Sequence, residues 1–383
     1  MADPASLRIG LIHAYPLSEV RRGGERYVDD LARYLSAAGH QVVSISGTMG
    51  QPGVVRTEGW VERRYHHQRH GRLGFLGDPE RLAVAAFPHL VRRRYDVVHA
   101  FMPQVAIAAA AAGQAVVFTC LGHPSAGELR EHGGAAREQF FAAAWLSTSF
   151  VALSTSAAAT IRWTRRPPGI LSPGVRLSDF PTKSGGDRAP GPPRILFASD
   201  ASAQNKGVDL ALAAVADLRT AGNPVQLLLG GPGDHHWAMD GLRGRRAAAI
   251  EGTTVLGVGR LDELPGRYRH ADVTVLPSRG EAFGLVLIES LASGTPVVCS
   301  TSGGMAEIVD DPAVGRVFRA DDVADLQRAL TEAIELGRDP ATAARCAAHA
   351  RRWGWNETIG PNHVDEYLRT ARRHPRRRHS ASP

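Results

Sequence analysis

The sequence predicts an α/β protein made of two Rossmann-like, doubly wound domains. Three observations carry this expectation: a strand, glycine loop, helix and strand near the start, a second such unit after residue 190, and a Gly/Pro-rich stretch between them. Length agrees, because 383 residues exceed what a single hydrophobic core usually supports.

The first unit opens with the apolar run Leu7 to His13, of buried-strand type, and a polar loop leads to Gly23-Gly24. From Glu25 to Ala38 the apolar residues Val28, Leu31, Tyr34 and Leu35 recur at helical spacing, and Gly39 ends the helix. A strand at Gln41 to Ser46 completes the unit. Short apolar runs at Tyr95–Ala100, Ala115–Thr119 and Phe150–Ser154 read as further strands, separated by Ala-rich helical stretches. The first domain is therefore assigned to residues 1–183. Residues 184–193 collapse into Gly, Pro and polar types and read as a linker. The alternation restarts with strand Arg194–Ala198, a polar loop to Lys206-Gly207, helix Val208–Ala221, strand Val225–Leu229 and the glycine turn Gly230–Gly233. Further strands follow at Val255-Leu256, Asp272–Leu276 and Val297–Cys299, and the second domain is assigned to 194–352. Two such halves are expected to face a central cleft at the carboxyl ends of their sheets, where open α/β proteins bind ligands.

Composition narrows the class. With 43% apolar and 22% charged residues the chain is ordinary globular protein, and no run of about 20 apolar residues lacks a polar break. The start, Met-Ala-Asp-Pro, moves directly into a strand without a signal-peptide pattern, so a cytoplasmic protein is expected. Cys120, Cys299 and Cys346 are far apart and lack metal-type spacing, which points to reduced, buried thiols. Much of the net charge of +7 comes from residues 372–383, a basic, Pro-interrupted tail read as disordered. The basic clusters Arg63–His70 and Arg92–Arg94 fit a solvated face or peripheral contact with an anionic membrane; nucleic acid is not expected as a partner.

The richest segment is Pro277-Ser278-Arg279-Gly280-Glu281-Ala282-Phe283-Gly284-Leu285-Val286-Leu287-Ile288-Glu289. It lies between an apolar, β-branched strand and a periodic apolar segment ending at Gly294, so it reads as strand, loop, helix. Such a junction aims the N–H groups of a helix start, with their partial positive charge, beyond the strand end, where a phosphate is the natural occupant. Glu281 in the loop and Glu289 in the helix lie about 12 Å apart along the chain at helical rise, enough to grip two parts of one elongated ligand.

The frame PSRGEAFGLVLIESLASGTPVV closely resembles the Glu-x7-Glu signature of family-4 retaining glycosyltransferases of the GT-B fold. The resemblance implies that Glu281 holds the transferred sugar, that Glu289 holds the ribose, and that the amides of Ala282, Phe283, Gly284 and Leu285 hold sugar and diphosphate. It makes Lys206, in Gln204-Asn205-Lys206-Gly207, the phosphate-binding lysine. It places Gly23 and Gly24 in a first-domain glycine loop that lets backbone approach the donor, and His123, in Cys120-Leu121-Gly122-His123, against the transferred sugar. Arg260, in Gly257-Val258-Gly259-Arg260, falls in a segment lining the base pocket. It also implies that residues 353–371, with Trp355 and Tyr367, cross back onto the first domain. One departure stands out: relatives carry a Gly-Arg pair where this chain reads Ala198-Ser199-Asp200, and a carboxylate cannot clamp a phosphate. Arg260 and Arg279 are the candidates to supply the missing cation.

The expected function is transfer of a hexosyl unit, with retention, from a nucleotide sugar (UDP-sugar first, GDP-sugar second) to an acceptor hydroxyl. No Asp-x-Asp pair ends a strand, so neither a metal nor another cofactor is expected; lysine and helix dipole would neutralise the diphosphate. A GT-B sugar-nucleotide epimerase and a nucleotide-binding protein with a degenerate site are the alternatives. The acceptor is not readable, natural-product and cell-envelope glycans both being compatible.

Overall fold

The computed structural model describes residues 6–66, 77–122, 134–161, 164, 166–184, 190–239, 246–260 and 262–374. The chain divides into two compact units, Met1–Gly174 with Thr358–Pro383, and Val175–Glu357.

Unit 1 is built on eight strands: β1 (Arg8–His13), β2 (Gln41–Thr48), β3 (Gly53–Arg56), β4 (Val61–His66), β5 (Val97–Ala100), β6 (Val116–Cys120), β7 (Ser149–Ala152) and β8 (Gly169–Ile170). Their order across the sheet is β3-β4-β2-β1-β5-β6-β7-β8, parallel throughout except for the β3–β4 hairpin. β5, β6 and β7 are buried along their whole length, as parallel strands covered on both faces must be. Alanines allow the covering helices to approach closely: Ala106 and Ala109 of the helix Pro103–Ala111 are fully buried. The β3–β4 hairpin had no signal in the sequence, because β3 is exposed at every residue and so shows no apolar alternation.

The helix Gly360–Arg373 packs in unit 1, as its last element. Its buried stripe, Gly360, His363, Tyr367 and Thr370, has helical spacing but little hydrophobicity, and hydrogen bonds hold it in place. Tyr367 Oη lies 2.7 Å from His99 Nδ1, and His363 Nε2 lies 2.6 Å from Tyr27 Oη. Burial of this cluster drives the His363 imidazole down to about 4 and His99 further below the usual histidine range.

Unit 2 has six parallel strands, β9 (Arg194–Phe197), β10 (Gln226–Leu229), β11 (Thr253–Val255), β12 (Val273–Leu276), β13 (Val297–Ser300) and β14 (Gly315–Phe318), ordered β11-β10-β9-β12-β13-β14. This is the doubly wound order with its reversal between β9 and β12. The helix Val208–Thr220 is buried on nearly every side, which its run of Ala, Val and Leu permits. The two ends of the unit are tied together: Val175 N donates to Trp353 O at 2.9 Å and Trp355 N to Val175 O at 3.2 Å.

The unit boundaries fall elsewhere than the change in composition. Val175 to Lys183 belongs to unit 2, with Phe180 against Tyr268 and Lys183 N donating to Ser293 O at 2.9 Å. Trp353 and Trp355 likewise stay in unit 2, and unit 1 resumes at Thr358. Apolar anchors, rather than Gly and Pro content, decide where a compact unit begins. Residues 185–189 of the expected linker and the basic tail beyond His374 lie outside the described residues. All three cysteines are buried, and burial pushes Cys120 and Cys346 up to about 12, so both are unreactive thiols.

Candidate active site

In a doubly wound sheet the ligand crevice opens at the carboxyl ends of the strands that flank the order reversal. In unit 2 these are β9 and β12. The segment after β9 carries Lys206 and the loop after β12 carries Glu281, and the two side chains meet, Nζ to Oε2 2.5 Å, with about a fifth to a quarter of each still exposed. Gly207 makes this approach feasible. It has φ +74, and a Cβ there would stand 2.1 Å from Pro277 O, so only glycine lets the two loops touch. Backbone hydrogen bonds fix them further, Arg279 N to Asn205 O at 2.7 Å and Gly304 N to Glu281 O at 2.9 Å.

Beyond Glu281 the chain passes through Ala282 and Phe283, both buried, to Gly284. Gly284 adopts φ +107 with Met305 and Leu287 within 3.3 Å of where a Cβ would stand, and the helix Leu285–Ala292 begins after it. Gly284 brings no side chain to cap this helix start and no acid lies in its first turn, so the partial positive charge of the leading N–H groups is not answered within the turn. Glu289 sits inside that helix, 1% exposed, and its Oε2 accepts a hydrogen bond from Tyr268 Oη at 2.7 Å.

The arginines expected to replace the missing family arginine are committed elsewhere. Arg260 is turned to solvent, 76% exposed, in a two-point contact with Asp262 (3.0 and 3.1 Å). Arg279 grips Asp209 through both terminal nitrogens (2.9 and 2.7 Å), Asp321 through Nε (2.7 Å) and Gln204 O (2.9 Å). The Asp209 contact, reinforced by Asp321, raises its guanidinium well above the ordinary range, so it stays charged and fixed. Asp200, at the place of the family arginine, closes a local turn: its Oδ1 accepts from Ser202 N at 2.9 Å and Ser202 Oγ at 2.6 Å. Lys206 is thus the cation that faces Glu281.

Unit 1 has its own reversal, between β1 and β5. Here Gly23 and Gly24 open the helix Gly23–Ala37, and a Cβ on Gly24 would press on His13 and Leu121 at 3.3 Å. Glu25 lies in the first helical turn, buried, with its Oε1 3.3 Å from His13 Nε2. Burial works to raise the Glu25 carboxyl, but the His13 contacts outweigh it and hold the group below its usual value. His123, and Leu261 next to Arg260, lie outside the described residues. In the basic clusters, Arg64 pairs with Glu62 at 2.8 Å and Arg94 donates to Gly113 O at 2.7 Å, while residues 67–70 lie outside the described residues. Among the described residues no helix is long and apolar enough to cross a membrane.

Sequence reasoning did not find Tyr268, the partner of Glu289, nor the bracing role of Arg279. A tyrosine in a short helix before the motif strand carries no local mark of its partner. Gly207 was visible, directly after the lysine, and its requirement follows from a contact 70 residues away in the chain.

Two family patterns match the chain: the one described as "Glycosyltransferase Family 4" over residues 21–178 and the one described as "Glycosyl transferases group 1" over residues 192–335. Among curated relatives, a glycogen synthase of Mycobacterium tuberculosis is 34% identical over 186 residues, covering 48% of this chain and 43% of that protein. A D-inositol 3-phosphate glycosyltransferase of Nocardia farcinica is 33% identical over 211 residues, 49% of this chain and 45% of the relative. The match thus spans somewhat under half the length of these relatives. Among solved structures, the sucrose-phosphate synthase from Thermosynechococcus elongatus superposes with a TM-score of 0.79 at 21% identity, over 94% of this chain and 98% of that one. HepE from Anabaena, solved with UDP and glucose, gives 0.71 at 17% identity over 95% and 99%. These likenesses establish the GT-B fold, and with both halves matched in order the chain belongs to glycosyltransferase family 4.

Proposed function

We propose that the protein is a retaining hexosyltransferase that takes its sugar from a nucleotide donor, UDP-linked in the first instance, and passes it to an acceptor hydroxyl. The observation that carries the reading is the meeting of Lys206 and Glu281 beside an uncapped helix start at the unit 2 switch point. Transfer leaves negative charge on the departing diphosphate. A lysine ammonium has three donors, so Lys206 can hold Glu281 and a phosphate oxygen together, while the N–H groups at Gly284 and Leu285 take others. Glu281, held in place by the lysine, is suited to accept hydrogen bonds from sugar hydroxyls. Glu289, oriented by Tyr268, is suited to the ribose. In this reading His123 contacts the transferred sugar, Gly23 and Gly24 let backbone approach the donor, the Arg260 segment lines the base, and no metal is required.

Several relatives support the assignment by kind: the matching families are transferases, which favours transfer over epimerisation, and HepE was solved with UDP and with UDP-glucose. The test is titration of UDP and of UDP-glucose by calorimetry, followed by product analysis with pooled acceptors. Lys206→Ala should cost on the order of 2–4 kcal/mol of transition-state stabilisation, the scale for losing one preorganised donor. An unchanged kcat/KM would remove Lys206 from the site, and absence of any UDP binding would overturn the proposal.

A further inference from the structure

A second site lies wholly within unit 1, and it is chemically unlike the first. Between the helix Gly23–Ala37 and the face of β2 and β4 runs a cavity of about 400 Å³, within the roughly 300–1,000 Å³ typical of small-molecule sites. Its lining is polar and mixed in charge. Arg33 lies against Asp29 (3.3 Å) and over the Trp60 ring (5.3 Å), while Arg64 pairs with Glu62 at 2.8 Å, Glu62 being 8% exposed. Each lining guanidinium therefore already has its own carboxylate. Glu25 and Glu58 line the same space and leave it with a negative surplus, which protonation of His13 would reduce but not cancel. His13 also faces this cavity, 6% exposed, and among the described residues neither ring nitrogen makes a hydrogen bond of acceptable geometry; Nε2 stands 3.3 Å from Glu25 Oε1. The imidazole, held on one side by the Glu25 contact, keeps Nδ1 without a hydrogen bond among the described residues, a position that a ligand hydroxyl can fill.

We infer that this cavity binds an amine-bearing polyol, an aminosugar or aminocyclitol, and discriminates against phosphate esters. Hydroxyls are recognised by alternating carboxylate and guanidinium groups, each of which keeps spare acceptors or donors beyond its partner. The ammonium offsets the Glu25 and Glu58 surplus, and a hydroxyl completes His13. Trp60 supplies an apolar wall for the C–H face of the ring. A phosphate would meet four carboxylates, and among the described residues the lining guanidiniums are already engaged; like charges in a half-buried cavity are mutually costly.

The inference rests on the cavity and not on the transfer reaction. The probes are glucosamine, glucose and glucose 6-phosphate, titrated into the full chain below neutral pH, where the amine is charged, and followed by saturation-transfer NMR. Glucosamine should bind about tenfold more tightly than glucose, the scale of one charge-assisted hydrogen bond, and glucose 6-phosphate should not bind. Glu58 is exposed, so Glu58→Gln leaves the fold intact and should narrow the glucosamine preference to about threefold. Glu25→Gln with Glu58→Gln should abolish it. Saturating UDP should leave glucosamine binding unchanged. Displacement of glucosamine by UDP, tighter binding of glucose 6-phosphate, or a preference indifferent to both substitutions would overturn the assignment. A protein that failed to bind UDP yet bound glucosamine here would refute the transferase reading alone.

Discussion

The two units present the same topological feature with different charged groups beside it, and the proposed function places the diphosphate at the one in unit 2. In unit 1 the helix start at the β1–β5 reversal already carries a buried acid, Glu25, beside His13, so its partial positive charge is answered from within. In unit 2 the helix start after β12 carries no acid in its first turn, and the neighbouring loop brings Lys206. Topology supplies two helix starts of the same kind, and they differ in the acid carried by the first turn. The units differ in their buried polar groups as well. Among the described residues the buried histidines, His13, His40, His99 and His363, all belong to unit 1.

The largest effect expected from testing this contrast is at Gly207. Alanine there combines a left-handed backbone with a clash against Pro277 O, together on the order of 4 kcal/mol. Urea unfolding should show unit 2 weakened and UDP binding lost. A midpoint like the native one would break the claim that the two loops must touch.

Acid should separate the units next. His363 titrates near 4 in the folded protein against an ordinary 6.5, so between those values the unfolded chain binds the extra proton. Stability is therefore intact above about pH 6.5 and falls as pH drops toward 4, by about 3 kcal/mol from this residue, with His99 adding in the same direction. Hydrogen-exchange mass spectrometry at pH 7 and 4.5 should place the loss in unit 1 peptides. Equal loosening of unit 2 would dissolve the contrast.

A smaller effect is expected at Arg279. Removing its half-exposed ion pairs by Arg279→Ala should cost about 1 kcal/mol of stability, yet lower kcat/KM more than KM alone explains, because the Lys206 loop loses its brace. Rescue by Lys would argue against the bidentate geometry. Smallest of all, Glu25→Gln should change stability by about 0.5 kcal/mol and leave UDP affinity untouched; a gain in UDP affinity would mean that the unit 1 crevice also competes for the nucleotide.

The apolar strands β1, β2, β5, β6, β7, β9, β10, β12 and β13, the number of units and the segment Pro277–Glu289 were legible because each is written in contiguous residues: apolar runs, helical spacing and a long motif. The hairpin of β3 and β4 was not, since an exposed edge strand carries no apolar alternation. Nor was the last helix legible from its own pattern, because its buried stripe is held by histidine and tyrosine hydrogen bonds rather than by hydrophobicity.

What the sequence determined by itself is therefore local, the periodicity that makes each strand and helix and the glycines that end or open them. Pairing was decided only in three dimensions. Lys206 meets Glu281 across 75 positions, Arg279 meets Asp209 across 70, and Tyr268 meets Glu289 across 21. The reason is physical: hydrophobic periodicity depends on neighbours in the chain, whereas the partner of a charge depends on which loops the strand order β11-β10-β9-β12-β13-β14 brings to one edge.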